Sequence, residues 1–110
     1  MSVNHTKWMN FAILQGLRSM GATGKNPSVG CVIVKNNNLL SYGRTGFLGR
    51  PHAEEEAINN VADKKNLIGS SMYVTLEPCA HKNSNGLSCA EKICKSGIKE
   101  VFVSCIDPDH

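Results

Sequence analysis

Two residues near the middle of the chain, His52 and Glu54, have the types and spacing of a metal ligand beside an acid–base carboxylate. They open a segment whose apolar periodicity predicts a helix over 52–64. Glu54 shares one helical stripe with three apolar residues, Ala57, Ile58 and Val61. A carboxylate on a stripe that faces the core is costly unless a specific interaction compensates it. The pattern therefore indicates a functional carboxylate at position 54.

The alternative interpretation of this acidic run is structural. Glu54, Glu55 and Glu56 all lie in the first turn of the predicted helix. Negative side chains there oppose the helix dipole favourably, by about 0.3–1 kcal/mol each. Glu56, however, shares its stripe with polar residues and is expected to face water. The three glutamates thus differ in helical phase, and Glu54 alone is expected to face inward.

Two cysteines complete the candidate metal site. Cys79 follows a predicted strand over 72–76, and Cys89 lies at the start of a predicted helix over 88–96. Free backbone N–H groups and the helix dipole favour a thiolate at such a position. One histidine and two cysteines give three protein ligands and leave a fourth tetrahedral position open, as in catalytic zinc sites. Cys94 remains an alternative third ligand, although packing is the expected role for it.

The rest of the pattern supplies elements that must position these residues. A first helix is predicted over 6–20 from apolar residues at helical spacing, Met9, Ile13, Leu17 and Met20, and Trp8 is expected to anchor it in the core. Strands over 29–35 and 39–43 flank a run of asparagines at 36–38, so a hairpin is predicted. Gly97 suits the position just after the third helix, where a left-handed backbone is common.

The predicted elements follow in the order helix, hairpin, helix, strand, helix, strand, with the last strand over 100–106. Strands that alternate with helices pair in parallel and carry helices on both faces of the sheet. The expected fold is therefore α/β, a three-layer αβα sandwich with a mixed sheet. A length of 110 residues favours one domain, over 1–110.

Composition excludes several classes of protein. The net charge of +3 arises from scattered residues and forms no basic stripe of the kind that nucleic-acid binding needs. The longest apolar run, at 31–34, is too short to span a bilayer, and the first ten residues contain no apolar signal region. We therefore expect a cytoplasmic protein with a small-molecule partner. In a reducing compartment Cys31 and Cys105 are expected to be core residues.

Four stretches carry motifs in a fixed order: NPSVGCVIV over 26–34, GRPHAE over 49–54, YVTLEPCAH over 73–81 and, over 96–109, SGI followed by DPD. Together they resemble the deaminase domain of the bifunctional riboflavin-biosynthesis proteins, within the cytidine deaminase-like superfamily. The spacing between the cysteines supports this family. Other nucleobase deaminases carry Pro-Cys-x-x-Cys, whereas this chain has Pro-Cys-x-His and a later second cysteine.

The resemblance implies a cytidine deaminase-like fold and a zinc-dependent reaction. The zinc ligands that it implies are His52, Cys79 and Cys89, and Glu54 is implied as the group that moves protons. The implied reaction is hydrolytic deamination of the diamino-hydroxy-phosphoribosylamino-pyrimidine intermediate of riboflavin biosynthesis, with release of ammonia. The family also implies a homo-oligomer, a dimer or a larger assembly.

Around the substrate, the resemblance assigns Asn26 to a hydrogen bond with the pyrimidine and His81 to the pocket wall. Two features depart from the family. The loop between the cysteines is one residue longer, and Ser84 stands where the family has a basic residue on the phosphate side, with Lys82 as a candidate replacement. Family domains also continue with a further strand and helix, so the sheet is expected to be truncated at its last strand.

Two other functions stay open at this stage. One keeps the chemistry and changes the substrate to a free base, a nucleoside or a transfer-RNA adenosine. The absence of Cys-x-x-Cys and of a basic stripe argues against it. The other is a catalytically silent zinc-binding module that supports a partner chain, and the altered loop motivates it.

Overall fold

The computed structural model describes residues 4–18, 28–46, 52–75 and 89–104 of the chain. Its helices are α1 (His5–Leu17), α2 (Ala53–Asn59) and α3 (Cys89–Ser96), with a short 3-10 helix at Lys64–Leu67. Its strands are β1 (Gly30–Lys35), β2 (Asn38–Arg44), β3 (Ser71–Val74) and β4 (Glu100–Val103). Among these described parts, no helix is long and apolar enough to cross a membrane.

The four strands form one mixed sheet in the order β2-β1-β3-β4. β1 pairs antiparallel with both β2 and β3, whereas β3 and β4 are parallel, as predicted for strands joined through a helix. Asn36 and Asn37 turn the hairpin between β1 and β2 with φ angles of 52° and 60°. Two-residue hairpin turns need this left-handed backbone, and asparagine tolerates it well. The predicted hairpin is confirmed.

Helices cover both faces of the sheet. α1 packs on one face, where Trp8 and Ala12 meet Val32 and Tyr73. α2 and α3 pack on the other face, over the core that contains Ile33. The predicted three-layer α/β architecture is confirmed. One domain over 1–110 stays a prediction.

Trp8 anchors α1 in the core, as predicted, but two of the apolar residues whose spacing predicted the helix do not face the sheet. Ile13 and Leu17 are 40% and 53% exposed. The residues of α1 that are buried against the sheet are Trp8, Ala12, Gln15 and Gly16. Backbone contact explains the difference, because a Cβ atom added to Gly30 would lie 1.8 Å from the Ala12 carbonyl oxygen. Small residues bring α1 close to β1, and this close approach, rather than side-chain size, sets the rotation of the helix.

The second helix is shorter than predicted, since α2 ends at Asn59 rather than near position 64. The Lys64 ammonium group folds back and donates to the carbonyl oxygen of Asn59, at 2.9 Å, and to that of Val61. These bonds satisfy carbonyl groups that the end of a helix leaves without partners. Val61 nevertheless stays buried at 2% exposure, in the core beneath α2.

Cysteines outside the candidate site have different environments. Cys31 is fully buried in β1, as predicted. Cys94 is exposed on α3, so the predicted packing role for it is wrong. Cys105 lies outside the described residues. Gly97 ends α3 with a φ angle of 92°, which confirms its predicted position after the helix.

Candidate active site

One end of the sheet gathers the segments that carry the predicted site residues. β2 ends at Arg44, opposite Gly30 at the start of β1, and β3 ends at Val74, opposite Cys31. Thr75 stabilises this end of the sheet through two hydrogen bonds with Gly30. Its backbone N–H donates to the Gly30 carbonyl oxygen at 3.1 Å, and its hydroxyl accepts from the Gly30 N–H at 3.1 Å. Since α2 follows β2 and α3 follows β3, both helices begin at this end.

His52 occupies the N-cap position of α2 with an extended backbone. Its half-buried side chain makes no capping hydrogen bond to the helix. α2 is seated tightly against β2, since a Cβ atom added to Gly43 would lie 2.5 Å from the Ala53 carbonyl oxygen. The imidazole is therefore held at the mouth of the helix, and capping does not occupy it.

Glu54 faces the interior from the first turn of α2 and is only 4% exposed, which confirms its predicted phase. Burial raises the pKa of Glu54 from 4.5 to about 7, its own backbone N–H lowers that pKa, and the charge of Glu55 raises it. No other side chain among the described residues forms a hydrogen bond or ion pair with this carboxyl group. A carboxyl group with a pKa near neutrality can both accept and return a proton.

The two neighbouring glutamates hold α2 in place. Glu56 is half-buried and its Oε2 accepts from the Arg44 backbone N–H at 3.3 Å, so the prediction that it faces water is wrong. Contact with the edge of β2 explains the difference. Glu55 forms an ion pair with Lys92 of α3, and both side chains are largely shielded from solvent.

α3 begins at Cys89, which confirms that this cysteine heads a helix. One turn later Ile93 is 6% exposed and packs in the same core as Ala53 and Ala57 of α2. The Lys92–Glu55 pair lies between these two helices. The backbone therefore brings the start of α3 beside the start of α2. The choice of Cys89 rather than Cys94 as the third ligand stays a prediction.

The remaining predicted site residues, Asn26, Cys79 and His81, lie outside the described residues, as do Lys82 and Ser84. Within the described ranges no group of three His, Cys, Asp or Glu side chains surrounds a common point. What is described fits a zinc site, because a histidine and a buried carboxyl group lie at the start of α2, the helix that packs beside the cysteine-bearing α3. The ligand set of His52, Cys79 and Cys89 stays a prediction.

Sequence reasoning missed three features that shape this site. Gly43 lets α2 approach β2, Thr75 fastens the end of the sheet, and Lys92 ties α3 to Glu55. Each is a contact between elements that are distant along the chain. No periodicity or short motif in the sequence marks such contacts.

Comparison with known proteins agrees with this geometry. Residues 2–105 match the family described as the cytidine and deoxycytidylate deaminase zinc-binding region. The riboflavin biosynthesis protein RibD of Bacillus amyloliquefaciens is 43% identical over 102 residues, which are 93% of this chain and 27% of that protein. The diaminohydroxyphosphoribosylamino-pyrimidine deaminase of Buchnera aphidicola from Schizaphis graminum is 42% identical over 79% of this chain and 57% of that protein.

The fold has a close counterpart among solved structures. The diaminohydroxyphosphoribosylaminopyrimidine deaminase/5-amino-6-(5-phosphoribosylamino)uracil reductase of Thermotoga maritima superposes with a TM-score of 0.85 at 36% identity. The match covers 93% of this chain and 29% of that one, so this chain corresponds to a fraction of its relative. These similarities confirm the resemblance seen in the sequence motifs. The chain belongs to the cytidine and deoxycytidylate deaminase zinc-binding family.

Proposed function

We propose that this chain catalyses the hydrolytic deamination of the diamino-hydroxy-phosphoribosylamino-pyrimidine intermediate of riboflavin biosynthesis. The observation that carries the proposal is the buried carboxyl group of Glu54 at the head of α2, beside His52 and the start of α3. Family membership supplies the reaction class. The relatives from Buchnera aphidicola and Thermotoga maritima, whose names state this activity, supply the substrate.

In this proposal His52, Cys79 and Cys89 hold the zinc ion. When bound, zinc acts as a Lewis acid that makes water a nucleophile at neutral pH. The water oxygen forms a bond to the amino-bearing ring carbon, and the bond from that carbon to the amino nitrogen breaks. Glu54 takes a proton from the water and delivers it to a ring nitrogen. Glu54 moves the second proton of the same water to the amino group, which leaves as ammonia, and the ring keeps the oxygen.

The described residues contribute positioning as well as proton transfer. The core under α2 excludes water from the Glu54 carboxyl group, and Gly43 and Thr75 fix the end of the sheet that carries the site. Asn26 is proposed to bind the pyrimidine and His81 to line its pocket, as the family resemblance implies. Homo-oligomeric assembly and a cytoplasmic location stay predictions.

The test measures ammonia release by the zinc-loaded protein from the pyrimidine intermediate, with cytidine, deoxycytidine monophosphate and a transfer-RNA substrate in parallel. We expect activity on the pyrimidine intermediate. Glu54→Gln should lower turnover by about 10²–10⁴-fold, the usual contribution of general acid–base catalysis. Zinc content should not change, because the carboxyl group is not one of the proposed ligands.

Glu100→Gln is a matched control, since it removes a carboxylate from β4, outside the site, and should leave turnover unchanged. Higher activity on another substrate of the panel would show that the proposed substrate is wrong and that the proposed deamination reaction is right. Zinc-loaded wild-type protein that deaminates none of the panel would support the silent zinc-binding module and refute the proposal.

A further inference from the structure

A cleft of about 530 Å³ runs along β2 between the last turn of α1 and α2. Its volume lies in the range of small-molecule sites. The polar and aromatic residues that line it are Gln15, Arg18, Tyr42, Arg44, Glu56 and Asn60. Neither His52 nor Glu54 is among its described lining residues.

The cleft cannot be explained as a free strand edge awaiting another strand. The Tyr42 carbonyl oxygen accepts from the Asn60 side-chain amide at 3.2 Å. The Arg44 backbone N–H donates to the Glu56 carboxylate at 3.3 Å. Side chains at and just after α2 therefore already occupy two of the backbone groups through which an added strand would pair, so an occupant of the cleft would meet side chains there.

The charge of the lining favours an anion. Arg18 is exposed and Arg44 is half-buried. Within the described residues the ion pair found is Lys92–Glu55, so neither guanidinium group has a carboxylate partner there. Glu56 lines the same cleft, but its Oε2 is engaged by the Arg44 backbone rather than by a guanidinium group. Two guanidinium groups against one carboxylate leave the lining with net positive charge.

Gln15 also lines the cleft, from the last turns of α1, and the residue is 6% exposed. Its N–H₂ group would add a donor beside the guanidinium groups.

The wall of the cleft also includes an aromatic surface. The Tyr42 ring is 45% exposed and lies 5.8 Å from the Phe11 ring, which holds it against α1. Guanidinium groups pair with phosphate oxygens in bidentate geometry. We propose that this cleft binds a phosphate monoester, with Arg18, Arg44 and Gln15 around the phosphate group and Tyr42 beside the organic part. This inference does not depend on the proposed deaminase activity.

The test titrates zinc-loaded protein with inorganic phosphate, and with a nucleoside 5′-monophosphate against the free nucleoside, by calorimetry at constant ionic strength. Arg18→Gln and Arg44→Gln should each weaken phosphate binding by about tenfold or more, as expected for loss of a charge-assisted hydrogen bond. Lys65→Gln removes the same charge from an exposed site outside the cleft and should bind phosphate as the wild type does.

Amide chemical shifts locate the site. Phosphate should move the signals of Gln15, Tyr42 and Arg44, and Arg18→Gln should leave the KM for the deamination substrate unchanged. Phosphate that does not bind, or that binds equally well to both arginine variants, would overturn the proposal. A KM that rises in parallel with the loss of phosphate binding would show that the two sites are one. Acetate bound as tightly as phosphate would refute the choice of ligand.

Discussion

The two faces of the sheet treat their polar groups differently. On the α1 face the Trp8 indole donates to the Asn37 side chain at 3.2 Å, and the Tyr73 hydroxyl is hydrogen-bonded to His5 at 2.6 Å. On the α2 face the Glu54 carboxyl group is buried with no partner from another side chain among the described residues. On the α1 face these two polar side chains are paired with other side chains, whereas on the α2 face burial raises the pKa of a carboxyl group that is hydrogen-bonded to its own backbone N–H. The difference indicates that the α1 face contributes mainly to stability, whereas the α2 face carries the group proposed for chemistry.

Both helices nevertheless approach the sheet in the same way, over a glycine. Gly30 lies under α1, where an added Cβ would be 1.8 Å from the Ala12 carbonyl oxygen. Gly43 lies under α2, where an added Cβ would be 2.5 Å from the Ala53 carbonyl oxygen. The comparison between the faces can therefore be tested with matched substitutions.

The largest effect is expected for these two glycines. Gly30→Ala and Gly43→Ala should each lower the free energy of unfolding by about 3 kcal/mol or more, because helix backbone atoms would have to move. Gly43→Ala should in addition lower turnover while the protein is still folded, since α2 carries His52 and Glu54. Denaturant titration and ammonia release measure the two effects.

Gly69→Ala is the control for these substitutions. Gly69 has a φ angle of 79°, and an added Cβ would find nothing within 4 Å. Only backbone strain of about 1–2 kcal/mol is then expected. Equal stability losses for all three variants would show that the close approach of the helices does not decide the outcome.

The next effect concerns Glu54 in metal-free protein. Its pKa is about 7 in the folded chain and 4.5 without burial. Between these pH values the folded chain holds a proton that the unfolded chain has released, so wild-type stability falls as pH rises through this window. Glutamine does not titrate. The free energy of unfolding of Glu54→Gln, relative to that of the wild type, should therefore rise by about 3 kcal/mol between pH 4 and pH 8.

Urea titrations at both ends of that window check this expectation, with Glu100→Gln as the exposed control. At each pH the free energy of unfolding of the variant is compared with that of the wild type. The change in this difference between the two pH values is the result, because any pH-independent effect of the amide cancels. A difference between Glu54→Gln and the wild type that stays constant across the window would contradict the burial argument.

The smallest effect is expected for the contact between α2 and α3. Removing the Glu55–Lys92 ion pair should lower zinc affinity by about threefold, in line with the 0.2–1 kcal/mol that such pairs contribute. A double-mutant cycle with Glu55→Gln and Lys92→Met, read by competition with a chelator, isolates the pair.

Tyr73→Phe serves as the counterpart on the α1 face. It removes the hydrogen bond to His5 and should cost about 1 kcal/mol of stability while leaving zinc affinity unchanged. Zinc affinity that falls equally in Tyr73→Phe would mean that the two faces are coupled, and the division of roles between them would not hold.

Short-range sequence patterns predicted several local features of the structure. The hairpin at Asn36 and Asn37, the end of α3 at Gly97 and the inward phase of Glu54 all depend on residues within one turn of each other. The motif around His52 added the family and its chemistry. The hairpin, the end of α3 and the phase of Glu54 follow from backbone preference and helical period, whereas the family came from the motif resemblance.

Local sequence patterns could not predict contacts between elements that are distant along the chain. The apolar spacing of Ile13 and Leu17 predicted that α1 is a helix, but it did not show that the small residues Ala12 and Gly16 face the sheet. The rotation of α1 depends on Gly30, which is remote in the sequence. The same holds for the pairing of Glu56 with Arg44 across two elements.

That bond between the Arg44 backbone N–H and the Glu56 carboxylate has a kinetic consequence. Amide protons on the outer side of an edge strand normally exchange rapidly with solvent, because no neighbouring strand protects them. Here the Arg44 amide proton is protected only while α2 is docked. The rate of deuterium uptake at the Arg44 amide therefore measures how often α2, which begins at His52 and Glu54, separates from β2.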